Sequence, residues 1–371
     1  MKFAIFTHVI HHKHERRYYA YSPYVREINL WLRYVDEVHI VAPLSKTSKT
    51  RDLGEDYIHH NLNFIEISSF NLLNLLEFLK ALVKIPVNFY KIIAAMRQAD
   101  HLHIRCPGNI GMLAVIAQIF FPKKSKTVKY AGNWDPGARQ PWTYNLQKWI
   151  LSNTFLSRNI KVLVYGEWKN QTRNIVPFFT ASFSEEERET VLKEFKPPFQ
   201  FIYSGNMVEG KGLKETIGMM KSLRELGLNC KLDIYGDGVM ENRLMQMVQE
   251  LELDQIIVFK GRANLGDLKQ AYRKAHFSVL LSKSEGWPKA IAEAMFFGCV
   301  PIGTSVSCVR WMMGEGERGI IINNPEGSRV AKKISKLLTS SGELVEKSRM
   351  AQQWSQIYTT EKFSSEIKKM L

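Results

Sequence analysis

Short apolar runs rich in β-branched residues alternate with stretches of helical period from one end of the chain to the other, and few folds accommodate that rhythm. In the first half the strand-like runs are KFAIFTH, EVHIVAP, NFIEIS, HLHIRC, TVKYAG and KVLVYG; in the second they are QFIYSG, KLDIYG, QIIVFKG, FSVLLS, VPIGTS and GIIIN. Among the helical patterns between them, one opens at Ser22 and Pro23, a capping residue followed by proline at the first helical position, and one runs through NLLNLLEFLKALVK. The second half adds KETIGMMKSLREL, ENRLMQMVQELEL, DLKQAYRKA, the segment after Trp287 and SRVAKKISKLL. Strand and helix in turn predict parallel sheets with crossover helices, an α/β chain of two doubly wound units in tandem. Hydrophobic residues at 45% and charged ones at 23% of 371 supply the core such units need and exclude a disordered chain.

The boundary is expected between Val176 and Phe199, where VPFFTASFSEEERETVLKEFKPPF joins a proline, an acidic run and a Pro-Pro pair and follows neither period. That gives an N-terminal domain over 1–180 and a C-terminal one over 199–353. No fixed-period repeat or low-complexity tract is present. The N-terminal MKFAIFTHVIHH is too short an apolar stretch for a signal peptide, and no run approaches the ~20 apolar residues of a membrane span, so a cytoplasmic protein is expected. Cys106, Cys230, Cys299 and Cys308 lack CxxC spacing and read as buried thiols. The net charge of +15 is uneven: residues 1–180 hold 24 basic and 12 acidic side chains, against 27 and 24 in the rest. The first half is therefore the one suited to anions.

Two segments carry chemistry. SKSEGWPKAIAEAMFFGCVPIGT follows one strand run and ends in the next, and holds Glu285 and Glu293 at i and i+8. Gly286 and Pro288 end the strand in a turn, and the helix after it points its amides back at that turn, where polar ligands bind in open α/β sheets. Eight helical residues rise ~12 Å, beyond the ~5 to 9.5 Å of hydrolytic carboxylate pairs. The two are thus expected to touch different parts of one extended ligand; the alternative is that Glu285 caps the helix and Glu293 pairs with a surface lysine. The other segment, FIYSGNMVEGKGLKETI, nearly spells a nucleotide triphosphatase loop in Gly205, Gly210 and Lys211, but Gly212 stands where that loop requires Ser or Thr for Mg²⁺. What remains is a small-residue loop whose amides approach an anion, with Lys211 as a point charge.

Together these motifs, with IYGDG, FKGR and VPIGT between about Phe201 and Ile322, resemble the donor-binding domain of the retaining GT-B glycosyltransferases of family four, the glycosyl transferases group 1. The resemblance implies a GT-B fold, two Rossmann-like doubly wound domains facing a central cleft, with the C-terminal helix of about 354–371 packing back on the first. It implies that Lys211 binds the donor diphosphate, that Glu285 with the turn Gly286, Trp287, Pro288 and Lys289 holds the sugar, and that Glu293 holds the ribose hydroxyls. Asn206 stands after Gly205 where the family usually has Arg, so Arg262 is a candidate for the missing diphosphate contact. After VPIGTS this chain has SVSCVRWM in place of a glycine pair and a carboxylate.

The first half resembles the family in outline only. Its first loop holds His8, His11, His12, His14, Lys13, Arg16 and Arg17, of which His11, Arg16 and Arg17 are acceptor-side candidates in an anion-facing loop; ligand spacing for a metal is lacking apart from Glu15. In YAGNWDPGARQPW, Asn133, Trp134 and Asp135 occupy the place where relatives keep a histidine followed by Asp. Asp135 is a catalytic candidate there, Asn133 and Trp134 acceptor-side candidates, and the alternative is a turn held by the Asn and Asp side chains. The helical stretch over 71–98, with Lys80, Lys84, Lys91 and Arg97, either packs on its own sheet or meets an anionic membrane.

The expected function is retaining transfer of a sugar from a nucleotide-diphosphate sugar to a glycan or lipid-linked acceptor, in cell-surface polysaccharide synthesis. Catalytic roles are assigned to Glu285, Lys211 and Asp135, with no metal or other cofactor and no nucleic acid as partner. Location is the cytoplasm, peripherally on the inner face of the cell membrane. The alternatives are an epimerase or phosphorolytic enzyme of the same fold, separable by product analysis, and a non-catalytic nucleic-acid-binding protein.

Overall fold

The computed structural model describes residues 1–15, 17–45, 54–70 and 75–371. They divide into two compact units, Met1–Phe179 with Phe363–Leu371, and Thr180–Lys362.

The first unit contains strands β1 (Lys2–Phe6), β2 (His12–His14), β3 (Arg17–Tyr21), β4 (Glu37–Ala42), β5 (Gly54–Asp56), β6 (Leu62–Glu66), β7 (His101–Cys106), β8 (Ser125–Tyr130), β9 (Ile160–Tyr165) and β10 (Ile175–Phe178). Its helices are α1 (Ser22–Leu32), α2 (Leu75–Gln98), α3 (Asn109–Ala117) and α4 (Trp142–Ser152). Seven strands form a parallel sheet in the order β10-β9-β8-β7-β1-β4-β6, so the winding direction reverses between β1 and β7. Phe3 to Phe6 are fully buried, as expected of a central parallel strand covered by helices on both faces.

Two expectations change here. The first loop is an antiparallel hairpin, β2 against β3, with β5 added on the other side of β3. Alternating His12, His14, Tyr19 and Tyr21 read as polar and aromatic loop residues because neither face of this small sheet is uniformly apolar. Ser22 lies inside α1 rather than capping it; the cap is Tyr21, with no side-chain bond.

Buried histidines mark this unit. His101 Nε2 and His103 Nδ1 each lie 2.9 Å from Thr127 Oγ1, with both rings stacked on Phe3. Burial lowers His101 to about 4 and His103 well below its ordinary value, and burial also brings His11 down to about 4. These rings are neutral when folded, whereas in the unfolded chain they take a proton near pH 6.5. The unfolded state therefore binds more protons, and stability falls as pH drops below about 6.5 until about pH 4. The melting temperature is expected to decline steeply across that window, and His101→Gln to flatten the decline; a pH series of thermal melts on both proteins checks this.

The second unit contains β11 (Phe199–Ser204), β12 (Cys230–Tyr235), β13 (Ile257–Gly261), β14 (Phe277–Leu280), β15 (Val300–Thr304) and β16 (Ile320–Ile322). Its helices are α5 (Leu213–Glu225), α6 (Glu241–Glu250), α7 (Leu265–Lys274), α8 (Lys289–Phe296), α9 (Val309–Met312), α10 (Gly327–Leu338) and α11 (Ser341–Ser355), followed by α12 (Thr360–Lys368), inside which the division falls. All six strands are parallel in the order β13-β12-β11-β14-β15-β16, reversing between β11 and β14.

Residues 181–198, read from sequence as a linker, are packed within the second unit. Arg273 of α7 grips Glu189 through Nε at 2.6 Å and Nη2 at 2.9 Å, Lys269 meets Glu187 at 3.0 Å, and Lys193 donates 2.8 Å to the Tyr272 carbonyl. Phe183 packs on Phe296 and Phe297. The acidic run thus answers a basic helix that the sequence pattern does not pair with it. At the other end, α11 stays with this unit, Ser355 donating 2.6 Å to the Ala292 carbonyl. Only Phe363–Leu371, not the whole of 354–371, joins the first unit, where Phe363 lies edge-on to Phe178 and Phe179. Among the described residues no helix is long and apolar enough to cross a membrane.

Candidate functional site

In a doubly wound sheet the loops on either side of the reversal diverge and leave a crevice at the carboxyl ends of the strands. In the second unit those loops are 205–212, after β11, and 281–288, after β14. Gly212 brings them together. It caps α5 at φ +77, and a Cβ there would stand 2.1 Å from the Leu281 carbonyl oxygen, so only glycine lets α5 begin against the end of β14. The amide of Lys283 donates 2.8 Å to the Gly210 carbonyl and ties the two loops.

The consequence is an ion pair across the crevice: Lys211 Nζ lies 2.7 Å from Glu285 Oε1. The carboxylate is buried and the lysine partly exposed, their side chains 8% and 31% accessible, so Lys211 is the partner a ligand meets first. Glu285 sits in the turn before α8, not in the helix, so the eight-residue helical rise does not apply between it and Glu293. It does not cap α8 either, whose cap is Pro288 without a side-chain bond. The turn is held from the next loop: Cys308 Sγ donates to the Gly286 carbonyl at 3.1 Å and Ser307 Oγ at 3.3 Å. That is the use of the SVSC sequence after β15. Trp287 and Pro288 are buried, and Trp287 stands among Trp311, Trp354 and Tyr358, so these two shape the turn rather than face solvent. Lys289 opens α8 and is half-buried.

Glu293, one turn into α8, lines a small cleft with Thr180, Ser182, Lys289 and Tyr358. Its Oε1 accepts from Ser182 Oγ at 2.5 Å and its Oε2 from Tyr272 OH at 3.4 Å. The sequence reading missed Ser182 and Tyr272, one hidden in the supposed linker and the other in an amphipathic helix. Arg262 pairs through Nε with Asp237 Oδ2 at 2.5 Å, in the loop after β12, while the Asn206 side chain is exposed and its carbonyl accepts from Tyr203 OH at 3.0 Å. Lys211 and Arg262 at this edge are thus each already balanced by a carboxylate.

The first unit places its candidates differently. His11 is fully buried, Nδ1 at 2.8 Å from the Val9 carbonyl and Nε2 at 2.6 Å from Tyr57 OH, so it faces no anion. Arg17 is exposed and 3.7 Å from Asp56; Arg16 lies outside the described residues. Trp134 is a core residue, 2% exposed, edge-on to Tyr130 and donating to Gln171 Oε1 at 3.0 Å, which removes it from any acceptor. Asn133 Oδ1 accepts from the Asp135 amide at 2.9 Å, and Asp135 Oδ1 from the Gly137 amide at 2.8 Å: the two side chains hold a turn. The reversal of this sheet instead brings up His8, after β1, and Arg105, at the end of β7. The His8 ring lies against Gly108, and desolvation first and then the Arg105 charge lower its pKa. Arg105 rests 4.8 Å from the Tyr24 ring centroid. Neither was a site candidate from sequence, where the signal was their position near the end of a strand run, His8 in KFAIFTH and Arg105 in HLHIRC. Among the described residues no three His, Cys, Asp or Glu side chains gather as a metal site needs.

Residues 184–355 match the model of the family described as glycosyl transferases group 1. The second unit is a glycosyl transferases group 1 domain. Within the chain, 143 residues are 25% identical to the GDP-mannose:cellobiosyl-diphosphopolyprenol alpha-mannosyltransferase of Xanthomonas oryzae pv. oryzae. The aligned part is 38% of this chain and spans only 38% of that relative's length. Structural likeness reaches further. Sucrose-phosphate synthase from Thermosynechococcus elongatus superposes with a TM-score of 0.69 at 15% identity, covering 100% of this chain and 98% of that one. Anabaena HepE in complex with UDP and glucose gives 0.67 at 12%, covering 99% and 98%. The fold is GT-B, two parallel-sheet α/β domains.

Proposed function

We propose that the chain is a retaining glycosyltransferase that takes a sugar from a nucleotide-diphosphate sugar bound by the group 1 domain. The observation that carries this reading is the Lys211–Glu285 pair at the reversal of the sheet, where family motif and crevice coincide. A lysine ammonium has three donors, and Glu285 uses one, so Lys211 can hold a diphosphate oxygen while keeping its carboxylate. Its charge and the amides at the start of α5 then stabilise the diphosphate as it leaves, the larger share of the work in a front-face displacement. Glu285 stands by the sugar, where positive charge grows at the anomeric carbon. Glu293, held by Ser182 and Tyr272, takes the ribose hydroxyls. No metal is required in this scheme, since lysine and helix amides supply the positive charge.

The first unit would take the acceptor, a glycan or a lipid-linked one, in cell-surface polysaccharide synthesis; a lipid diphosphate acceptor is named for the Xanthomonas relative. A thermal-shift series with UDP, GDP and their sugars tests the donor half. A ligand of the native state raises the melting temperature by mass action, so at least one nucleotide diphosphate is expected to raise it, and no shift with any would refute the reading.

A lipid-linked acceptor implies work at a membrane surface. Helix α2 leaves Leu82, Val83, Val87 and Tyr90 exposed on one side, beside Lys84 and Lys91. Sedimentation with vesicles is expected to show binding that rises with anionic lipid and fades with salt. Val83→Asp with Tyr90→Ser should weaken it, and equal binding to neutral vesicles would rule it out.

A further inference from the structure

At the opposite edge of the first unit's sheet, the connections entering β8, β9 and β10 surround an open pocket of about 630 Å³. Five cationic side chains line it: Lys123, Lys126, Arg158, Lys161 and Arg173. No carboxylate of the described residues lies within ion-pairing distance of any of them, although elsewhere in the chain Lys2, Arg26, Lys211 and Arg273 each have one. Surface lysines alone would mean little. Here one of the five is built in: Lys126 is 1% exposed, and among the described residues its one side-chain acceptor is the Phe121 carbonyl at 2.7 Å. Two of its three donors are uncommitted, at a desolvation cost that lowers its pKa to about 8.

The floor is also ordered by side-chain hydrogen bonds. Buried Asn174 spends its amide on the carbonyls of Leu151 and Ser157, and Asn159 spans to the carbonyl of Pro122, which fixes the three connections to one another. Arg158 lies with its guanidinium 4.7 Å from the ring centroid of the exposed Phe155, a stacking that leaves its N–H edges free. Lys161 gives one bond to the Lys369 carbonyl at 3.3 Å. A pocket with fixed walls, many donors and no anion of its own fits a compact multivalent acceptor.

We propose that this pocket is a phosphate-binding site, filled by a soluble phosphate ester or by the headgroup of an anionic phospholipid. It lies at the amino ends of the strands, so it is separate from the crevices at the carboxyl ends, and it does not depend on the glycosyltransferase reading. Exposed Phe120 and Phe155 in the same connections would enter the interfacial layer if the phosphate is lipid-borne.

The full chain is titrated calorimetrically with sn-glycerol 3-phosphate and, separately, sedimented with phosphatidylglycerol and phosphatidylcholine vesicles. Saturable binding of the soluble ester, weakened about tenfold or more by Arg158→Gln with Arg173→Gln, supports the site and names the soluble source. Binding to phosphatidylglycerol but not phosphatidylcholine vesicles that survives Val83→Asp with Tyr90→Ser in helix α2 and is lost when Arg158→Gln and Arg173→Gln are added supports it and names the headgroup. Lys126→Met should act like the double variant in whichever arm binds. If Lys126→Met does not fold, the surface double variant decides alone. Binding that the double variant leaves unchanged, or none in either arm, overturns the proposal.

Discussion

Lys211→Ala is expected to lose about 10- to 100-fold in affinity for the nucleoside diphosphate and to turn over slowly even when saturated. A charge-assisted hydrogen bond contributes about 1.5 to 3 kcal/mol, which accounts for the affinity. The slow turnover follows from the pair: without the lysine, Glu285 is a buried carboxylate with no counter-charge, and it drags the turn toward water. Glu285→Gln should behave differently. It leaves Lys211 for the phosphates, so nucleotide binding stays near normal while kcat falls by about 100-fold, the mark of a contact made mainly in the transition state. Because each single change already disables the unit, the double variant should be little worse than either alone, a coupling that a double-mutant cycle on kcat/KM reads directly. Two independent losses that add would show that the pair is only an ion pair at rest.

The second large effect belongs to Glu293. If its carboxylate holds the ribose, Glu293→Gln weakens UDP or GDP and the corresponding nucleotide sugar by the same factor, about tenfold or more, with kcat nearly intact. Ser182→Ala separates this from a merely structural role. It removes the bond to Glu293 Oε1 and leaves a carboxylate with one more free lone pair for the ribose. Nucleotide affinity is expected to hold or rise slightly, whereas if Glu293 serves only to fasten segment 180–183 to α8, both variants melt early and neither changes affinity. Isothermal titration and melting temperatures on the two variants decide the matter.

The sheets were legible because a central parallel strand must be apolar on both faces, and runs such as KFAIF and VPIGT have no other use. The Lys211 loop and the Glu285 turn were legible for a related reason: glycine and proline punctuate them where strand meets helix. Their ion pair was not, since it joins residues that only the strand order makes neighbours. The hairpin of β2 and β3 escaped because its histidines and tyrosines are amphipathic and follow no apolar period. Trp134 misled in the opposite sense. Flanked by Asn, Asp and Gly, it reads as a loop residue, yet it is the anchor that plugs its loop into the core. The linker failed because an acidic run resembles a solvated one until its basic partner helix, 82 to 84 residues on, is placed beside it.

All four cysteines are buried as free thiols, none more than 2% exposed, and burial raises the pKa of each, Cys230 and Cys308 to about 12. The folded surface is expected to be silent toward maleimides. A single thiol introduced at exposed Val208, in the loop that carries Lys211, would be the one site to accept a fluorophore, with no need to strip the native cysteines first. The chain comes ready for labelling, and the loop's response to a nucleotide could be followed in real time on an otherwise unaltered protein.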